Sequence, residues 1–533
     1  MNTLPELREG AAPARSRVLR RTLARGVEAI DRPFDAAFGA ESNPLKQLGA
    51  LGWFFYWIVV ATGIYLYAFF DTGITNAYQS VERLTHGQWY LGGVMRSLHR
   101  YGSDALVLVM VLHALRELVL GRYRGPRTFS WVSGIPILVF LIASGITGYW
   151  LVWDELSQYV AIASTEWLDA LRVFGEPIAH NFMNSAVLSS RFFSLMAFLH
   201  IAVPLTLLLV MWIHLQRQSQ ARVKPPRALA TWTLAAMLAL ALVHPAVSAP
   251  PADLDRVPAI VGLDWFYLAG YPLLDRLAPL ALWAIAAAAL GLLTVLPWLP
   301  FRARIEVAVV DLENCNGCGR CVADCPFNAI DLVARSDGKP FSHEAAVAAN
   351  LCTGCNICMG SCPTATPFRR ATALKAGIAV PSASVEKLHA RSLAAAARLH
   401  GTERVLIYAC APIVNGAPAP DGAALVEVQC VGALPPPFFD FALSKKLADG
   451  VLVAGCAACD CHFRLGERWT EQRIARERDP RLRARVPRER LRAAWIGRSP
   501  RALTRAVEDF RRALADVRAV PTTAVAAHDG ARA

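Results

Sequence analysis

Six apolar stretches dominate the first 300 residues, at about 47–70, 93–119, 131–152, 190–215, 228–248 and 277–300. Each approaches or exceeds the ~20 residues a helix needs to cross a bilayer core, so the pattern predicts six membrane-spanning helices. Beyond residue 300 the apolar runs shorten and are punctuated by Gly and Pro. Val307 to Asp311 and Ala329 to Val333 read as short strands; Arg404 to Ala409, Leu425 to Gln429 and Gly450 to Ala454 read as strands, with a helix over Phe438 to Ala448 and another at about 500–518. Strands alternating with helices predict a small α/β domain at the end of the chain. The predicted organisation is an N-terminal segment (1–46), a membrane domain (47–300), a small domain (301–372), an Ala-rich linker broken at Pro381-Ser382 (373–400), the α/β domain (401–518) and a disordered tail of small residues (519–533).

Charge gives the bundle a direction. Of 533 residues 54% are hydrophobic and 18% charged, the balance of a membrane protein with a soluble portion attached. Arginines cluster before the first span (Arg15, Arg17, Arg20, Arg21, Arg25), in the second connection (Arg122, Arg124, Arg127) and in the fourth (Arg217, Arg222, Arg227, with Lys224), while the other connections are poorer in Lys and Arg. The positive-inside rule then places the N-terminus, these two connections and everything after residue 300 in the cytoplasm of a multi-pass protein of the cytoplasmic membrane. The first ~45 residues lack an apolar core with a cleavage site, so no signal peptide is expected. The net charge of +13 comes from these flanks and an Arg-rich C-terminal region; with no nucleic-acid module, a nucleic-acid partner is not expected.

Two pairs of histidines stand out: His99 with His113 in the second stretch, and His200 with His214 in the fourth, each pair 14 positions apart. At ~100° and 1.5 Å per residue, both members of a pair share one helix face about 21 Å apart. Two such helices side by side set imidazoles opposite each other at two depths, the arrangement for two stacked haems with bis-histidine ligation. His99 and His200 would hold the outer haem, His113 and His214 the inner one. Gly49 and Gly63 in the first stretch, and Gly134 and Gly148 in the third, repeat the 14-residue interval, as expected if a planar macrocycle needs places without a Cβ. Arg96 and Arg116 lie one turn from the ligands, toward water, where haem propionates would sit.

All 13 cysteines follow residue 310 in tight clusters, which favours metal ligation in a reducing compartment over a disulfide framework. Cys315, Cys318, Cys321 and Cys325-Pro326 spell C-x2-C-x2-C-x3-C-P, and Cys352, Cys355, Cys358 and Cys362-Pro363 repeat it. In this two-cluster pattern the fourth cysteine of each run crosses over. One [4Fe–4S] cluster is therefore assigned to Cys315, Cys318, Cys321 and Cys362, the other to Cys352, Cys355, Cys358 and Cys325. Gly317, Gly319 and Gly354 let the loops fold around them. Paired zinc knuckles have longer gaps between their C-x2-C pairs and fit poorly. In the last domain Cys410, Cys430, Cys456, Cys459 and Cys461 fall at strand ends, so a single metal site at one sheet edge is expected.

The sequence resembles known families in three places. Arg96-Ser97-Leu98-His99, His113-Ala114-Leu115-Arg116, Gly148-Tyr149-Trp150 with Trp153, and Arg191-Phe192-Phe193 leading to His200 and His214 resemble the cytochrome b of bc and b6f complexes over about 35–300. The resemblance implies a dihaem, quinone-reacting subunit, with a homodimer as in that family and Arg96 and Arg116 at the propionates. Its Pro-Glu-Trp-Tyr stretch would correspond to Leu263-Asp264-Trp265-Phe266, making Asp264 the candidate acid of an outer quinone site. Residues at about 303–372 resemble a bacterial two-cluster ferredoxin. Residues 403–518, through Asp449-Gly450-Val451-Leu452-Val453-Ala454-Gly455-Cys456, Asp460-Cys461-His462 and Trp495, resemble the delta subunit of methyl-viologen-reducing hydrogenases, implying a [2Fe–2S] cluster on Cys410, Cys430, Cys456 and Cys461, with Cys459 extra. The predicted fold is thus multi-domain: an all-α transmembrane dihaem bundle, an α+β ferredoxin-like domain and a small α/β iron–sulfur domain. The expected function is electron exchange between the quinone pool, in membrane lipid, and a cytoplasmic partner, a heterodisulfide-reductase-like or other iron–sulfur flavoprotein. It would dock on the basic run Arg473 to Arg485. Reverse flow, from quinol to a low-potential acceptor, and a redox-sensing membrane anchor without turnover remain open.

Overall fold

The computed structural model describes residues 14–173, 175–183, 190–216, 218–256, 260–299, 306–368, 373–414, 418–497 and 500–519. The predicted tail beyond Ala519, Arg217, and the junction at 300–305 lie outside the described residues. Two compact units emerge: residues 37–217 with 221–300, and residues 1–36 with 218–220 and 301–533. The N-terminal segment forms an amphipathic helix, α1 (Ala14–Phe38).

The helical unit contains α2 (Leu48–Phe69), α3 (Ala77–Glu82), α4 (Val94–Val119), α5 (Thr128–Val152), α6 (Glu155–Asp169), α7 (His180–Met183), α8 (Ser190–Leu215), α9 (Arg227–Val243) and α10 (Pro279–Val295). All six apolar stretches are helical, but only four of the described helices are long and apolar enough to cross a membrane: Leu48–Phe69, Thr128–Val152, Phe193–Leu215 and Pro279–Trp298. The other two explain themselves. Helix α4 carries Arg96, Arg100, Asp104, Arg116 and Glu117, and α9 is only 17 residues long. Helix α2 packs along α4, and α5 along α8, so each histidine-bearing helix lies against a glycine-bearing one. Two sequence signals set the sharp corner after α5. Trp153 adopts a left-handed conformation (φ 58°), and the Asp154 side chain caps α6 by accepting from Ser157 N at 2.8 Å.

The second unit runs β1 (Val309–Val310), α11 (Arg320–Ala323), β2 (Ile330–Ala334), β3 (His343–Val347), α12 (Ile357–Ser361), β4 (Ile378–Ala379), α13 (Val385–Ala396), β5 (Val405–Cys410), α14 (Ala411–Val414), β6 (Ala423–Val428), α15 (Pro437–Ser444), β7 (Gly450–Gly455), α16 (Gly466–Ala475), β8 (Leu491–Trp495) and α17 (Pro500–Ala519). Strands β2 and β3 form a hairpin, and β1 pairs antiparallel with β4. Four parallel strands follow in the order β6-β5-β7-β8. Alternate residues of the central strands enter different cores. Leu406, Tyr408, Val451 and Val453 join Leu388, Phe438 and Phe439, whereas Val405, Ile407, Leu452 and Ala454 join Leu503, Val507 and Phe510. Burial on both faces makes β5 and β7 continuous apolar runs, while β6, at the edge, alternates.

The stretch read as a linker is ordered. Its β4 closes the ferredoxin-like sheet past residue 372, and α13, capped by Ser384, buries Val385 and Leu388. Tyr408 Oη donates to Ser392 Oγ at 2.9 Å, fixing α13 on the parallel sheet. The two cysteine-bearing segments share one core containing Ile357, Met359, Val431, Leu434 and Trp469.

Candidate cofactor sites

The structure brings His99 of α4 beside His200 of α8. The rings of His99 and His200 face each other with centroids 6.3 Å apart and planes 68° to one another. His214 lies within electrostatic range of His113. His99 Nδ1 bonds the Val59 carbonyl at 3.0 Å, with Thr62 Oγ1 at 3.2 Å; His200 Nδ1 bonds the Ser144 carbonyl at 3.1 Å, with Thr147 Oγ1 at 3.2 Å. A carbonyl only accepts, so Nδ1 carries the proton and Nε2 is the nitrogen left for a ligand bond. His214 Nδ1 contacts Ser133 Oγ at 3.0 Å.

The four glycines fall one to each histidine. A Cβ at Gly63 would stand 3.0 Å from His99 Cε1, and one at Gly148 would stand 2.9 Å from His200 Cε1. At Gly49 and Gly134 the nearest atoms are His113 Cε1 and His214 Cε1, at 3.7 and 3.6 Å. The glycines therefore make room for the imidazoles themselves. In three of the four a hydroxyl residue precedes the glycine (Thr62, Ser133, Thr147) and meets the same histidine, a pairing the sequence reading missed.

These residues fit a planar iron group. In His99 and His200, 6.3 Å apart with Nδ1 of each already bonded, it is the two Nε2 atoms that would hold such a group. Arg96, read as a propionate partner, is engaged by protein groups: Thr85 Oγ1, Glu82 Oε1 at 3.4 Å and Ser248 Oγ at 2.7 Å. Arg116 lies one turn beyond His113, partly buried. Asp264 is tied down. Its Oδ2 takes Arg100 Nη2 at 2.6 Å, and its Oδ1 takes the amides of Phe266 and Tyr267 at 2.7 and 2.8 Å. Arg100 also pairs with Asp104 and lies over the Tyr149 ring.

In the second unit Cys315, Cys318, Cys321 and Cys362 line one small cavity with Gly317, Gly319, Leu332, Ala345, Gly377 and Ile378. That is the crossed-over set read from the two runs. Cys325, Cys352, Cys355 and Cys358 neighbour one another in turn. Positive φ at Gly317 (65°), Gly319 (73°) and Gly354 (64°) turns the loops around both sites, and Asn356 (62°) takes the place in the second loop that Gly319 holds in the first. Burial pushes Cys321 and Cys355 up to about 12 and Cys358 well above the usual thiol range, so these groups become thiolates only when a cation binds.

At the third site Cys410 closes β5, and Cys430 and Cys456 follow β6 and β7. These tips sit where strand order reverses, the usual binding edge of such sheets. Cys410 hydrogen-bonds with Cys430 and Cys456, and Cys461 with the same two, a buried ring of four thiols. The bonds from Cys430 and Cys456 pull Cys410 down to about 5. Thiolates are the ligand type of iron–sulfur groups, although among the described residues no three His, Cys, Asp or Glu side chains are arranged to hold a single metal ion. Cys459 stands outside the ring, its amide donating to Glu467 Oε1 at 2.8 Å. The basic run Arg473 to Arg485 is less solvated than its charge implies. Arg473 is 1% exposed, Arg478 stacks on Trp469 and bonds Asp324, and Arg483 and Arg485 share the buried Asp440.

Residues 40–221 match the family model of cytochrome b/b6/petB, residues 308–367 that of a 4Fe-4S dicluster domain, and residues 395–517 that of the methyl-viologen-reducing hydrogenase delta subunit. Among solved structures, one titled "Hyperthermophilic respiratory Complex III" is 25% identical, covering 47% of this chain and 74% of its own, with a TM-score of 0.39. The chain thus joins a segment similar to cytochrome b to segments similar to iron–sulfur proteins, as in a multi-pass membrane protein of electron transport.

Proposed function

We propose that this protein is the membrane electron-transfer subunit of a quinone oxidoreductase, exchanging electrons between the quinone pool and a cytoplasmic iron–sulfur flavoprotein. The facing pair His99 and His200 carries the reading. Helices α4 and α8 set these imidazoles 6.3 Å apart with Nδ1 of each spent on a neighbouring helix, which supports reading them as ligands of one iron. In this reading the chain crosses the membrane six times; His99 and His200 hold the outer haem b, and His113 and His214 the inner one. Cys315, Cys318, Cys321 and Cys362 hold one [4Fe–4S] cluster, and Cys325, Cys352, Cys355 and Cys358 the other. The thiol ring holds a [2Fe–2S] cluster. When bound, these groups supply one-electron carriers, bridging two-electron quinone chemistry and a two-electron flavin.

The protein's own residues orient and exclude. Val59, Thr62, Ser144, Thr147 and Ser133 fix the ring orientation of their histidines, and the glycines of α2 and α5 leave room for the imidazoles that α4 and α8 present to them. Asp264 remains the candidate acid of an outer quinone site. With both oxygens occupied, it would have to release Arg100 or an amide to reach a quinol hydroxyl.

The test is a redox difference spectrum of the purified protein with a quinone analogue. Two low-spin b haems, both reoxidised by quinone at turnover rates, are expected, and His113→Ala should remove one. A single haem, or two that survive His113→Ala, would refute the pairing. Haems unreactive toward quinone would point to the sensor.

A further inference from the structure

Three glycines stand in series where α12, in the ferredoxin-like segment, meets the parallel-sheet domain. A Cβ at Gly360 would lie 2.1 Å from the Gly432 carbonyl oxygen. One at Gly432 would lie 2.8 Å from Gly466 Cα and 3.1 Å from Ile357 Cγ1. One at Gly466 would lie 2.1 Å from Cys430 Sγ, 3.5 Å from Ile357 Cδ1 and 3.6 Å from Cys461 Sγ. Backbone therefore approaches backbone closely, and the fully buried Ile357 side chain ends at the same Gly466 position that Cys430 Sγ and Cys461 Sγ border. Ile357 directly precedes Cys358, and Gly432 lies two residues after Cys430.

The same seam is locked by charge. Arg473 Nη1 donates to the Gly432 carbonyl at 2.8 Å, and its Nη2 to Asp324 Oδ2 at 2.5 Å and Ser361 Oγ at 3.1 Å. Trp469 Nε1 donates to the Asp324 carbonyl at 3.4 Å, and Arg464 Nη1 to the Pro326 carbonyl at 2.6 Å. Asp324 and Pro326 flank Cys325. Two ligand-bearing segments of the second tetranuclear site, around Cys325 and Cys358, are thus fastened to α16 and the Cys430 loop. The cavity of the first site is lined entirely by residues between 315 and 378.

We infer that the Ile357–Gly432–Gly466 seam is the electron contact between the thiol ring and the Cys325, Cys352, Cys355 and Cys358 site, and that the ring does not exchange directly with the Cys315, Cys318, Cys321 and Cys362 site. The inference rests on reading both places as cluster sites. The step is a single electron: one site is oxidised by one electron, the other reduced by one, and no bond or proton changes. A low-potential cytoplasmic reductant, or dithionite in the laboratory, supplies it. The glycines, Ile357 and Arg473 are positioning residues.

The test uses the full-length, iron-loaded protein, reduced stepwise with dithionite and followed by low-temperature EPR. The signal of the ring site should relax faster once the second tetranuclear site becomes paramagnetic. This should persist in Cys318→Ala, which disturbs only the first site. Gly432→Ala must push the seam apart, so it should weaken the coupling and slow reduction of the ring relative to the native protein, with iron content unchanged. If that variant loses iron, Ile357→Ala, which cannot overpack, should show the weakened coupling. A ring signal relaxing independently of the second site in the native protein, or coupling lost in Cys318→Ala, overturns the inference. About eight non-haem irons and no ring signal would overturn the cluster reading of the ring, a failure visible in the iron count before any relaxation is measured.

Discussion

The four glycines beside the histidines allow a discriminating experiment, because they are not equally tight. An alanine methyl at Gly63 or Gly148 would stand 3.0 or 2.9 Å from an imidazole carbon, closer than carbon atoms pack, whereas at Gly49 or Gly134 it would stand 3.7 or 3.6 Å away, in ordinary contact. At the first two positions the ring must retreat by several tenths of an ångström. That strains the Nδ1 bonds to Val59 and Ser144, worth about 0.5–1.5 kcal/mol each. Overpacking adds roughly 1–3 kcal/mol. Every Gly→Ala change inside a helix also gains about 0.8–1.0 kcal/mol of propensity. The balance is a loss of about 1–3 kcal/mol at Gly63 and Gly148, and neutrality or a gain of up to ~1 kcal/mol at Gly49 and Gly134. The assay is the haem content and thermal midpoint of the four single alanine variants, read from reduced-minus-oxidised spectra. Gly63→Ala and Gly148→Ala should deplete or perturb the outer haem alone, and the other two should retain both. Equal loss in all four would refute the reasoning and show that the glycines clear the macrocycle and not the imidazoles.

Three further outcomes follow. Truncation after residue 400 should leave the haem spectra intact but destabilise the [4Fe–4S] segment as well, because Ile357, Met359 and Leu388 share a core with the removed domain; iron content and EPR check it, and intact tetranuclear signals would show independent folding. Arg473→Met should cost less than the ~3–5 kcal/mol of breaking a buried ion pair, because Arg478 also holds Asp324, and pairing it with Arg478→Met should bring the larger loss in a thermal unfolding measurement. Asp264→Asn keeps the oxygen that accepts the Phe266 and Tyr267 amides but removes the partner charge of Arg100. If Asp264 is a base, quinone-linked turnover should fall with a changed pH profile at constant stability, and if it is structural, the melting temperature should fall first.

Periodicity made much of this legible. The 14-residue interval is a property of the helix, so it marked the histidines and glycines that share a helix face, but not that each glycine lies against an imidazole rather than a macrocycle. Cysteine spacing likewise specified which thiols of two separate runs line one cavity. Element boundaries in the parallel sheet were close, since β5 and β7 are continuous apolar runs. Strand β8 was missed: Leu-Arg-Ala-Ala-Trp neither alternates nor forms an apolar run, and only pairing with β7 makes it a strand.

What the sequence hid was how charge is spent. Arg473 to Arg485 looked like a solvated basic face because net charge along a run says nothing about partners distant in the chain: Asp324 and Asp440 are over 40 residues away at the nearest, and each is shared by two arginines. Two guanidinium groups on one buried carboxylate leave an excess of positive charge at the seam, beside Cys430 on one side and Cys325 on the other. A thiolate-ligated cluster is anionic and becomes more so when reduced, so fixed positive charge here favours the reduced state of whichever site is nearer. Part of the run that suggested a docking surface acts inward: Arg473 and Arg478 serve the contact between the two iron–sulfur segments, whereas Arg481, Arg483 and Arg485 keep 64%, 46% and 59% of their side-chain surface exposed. Salt should then weaken partner binding through these exposed groups without disturbing Arg473, whose ion pair is shielded from salt by burial.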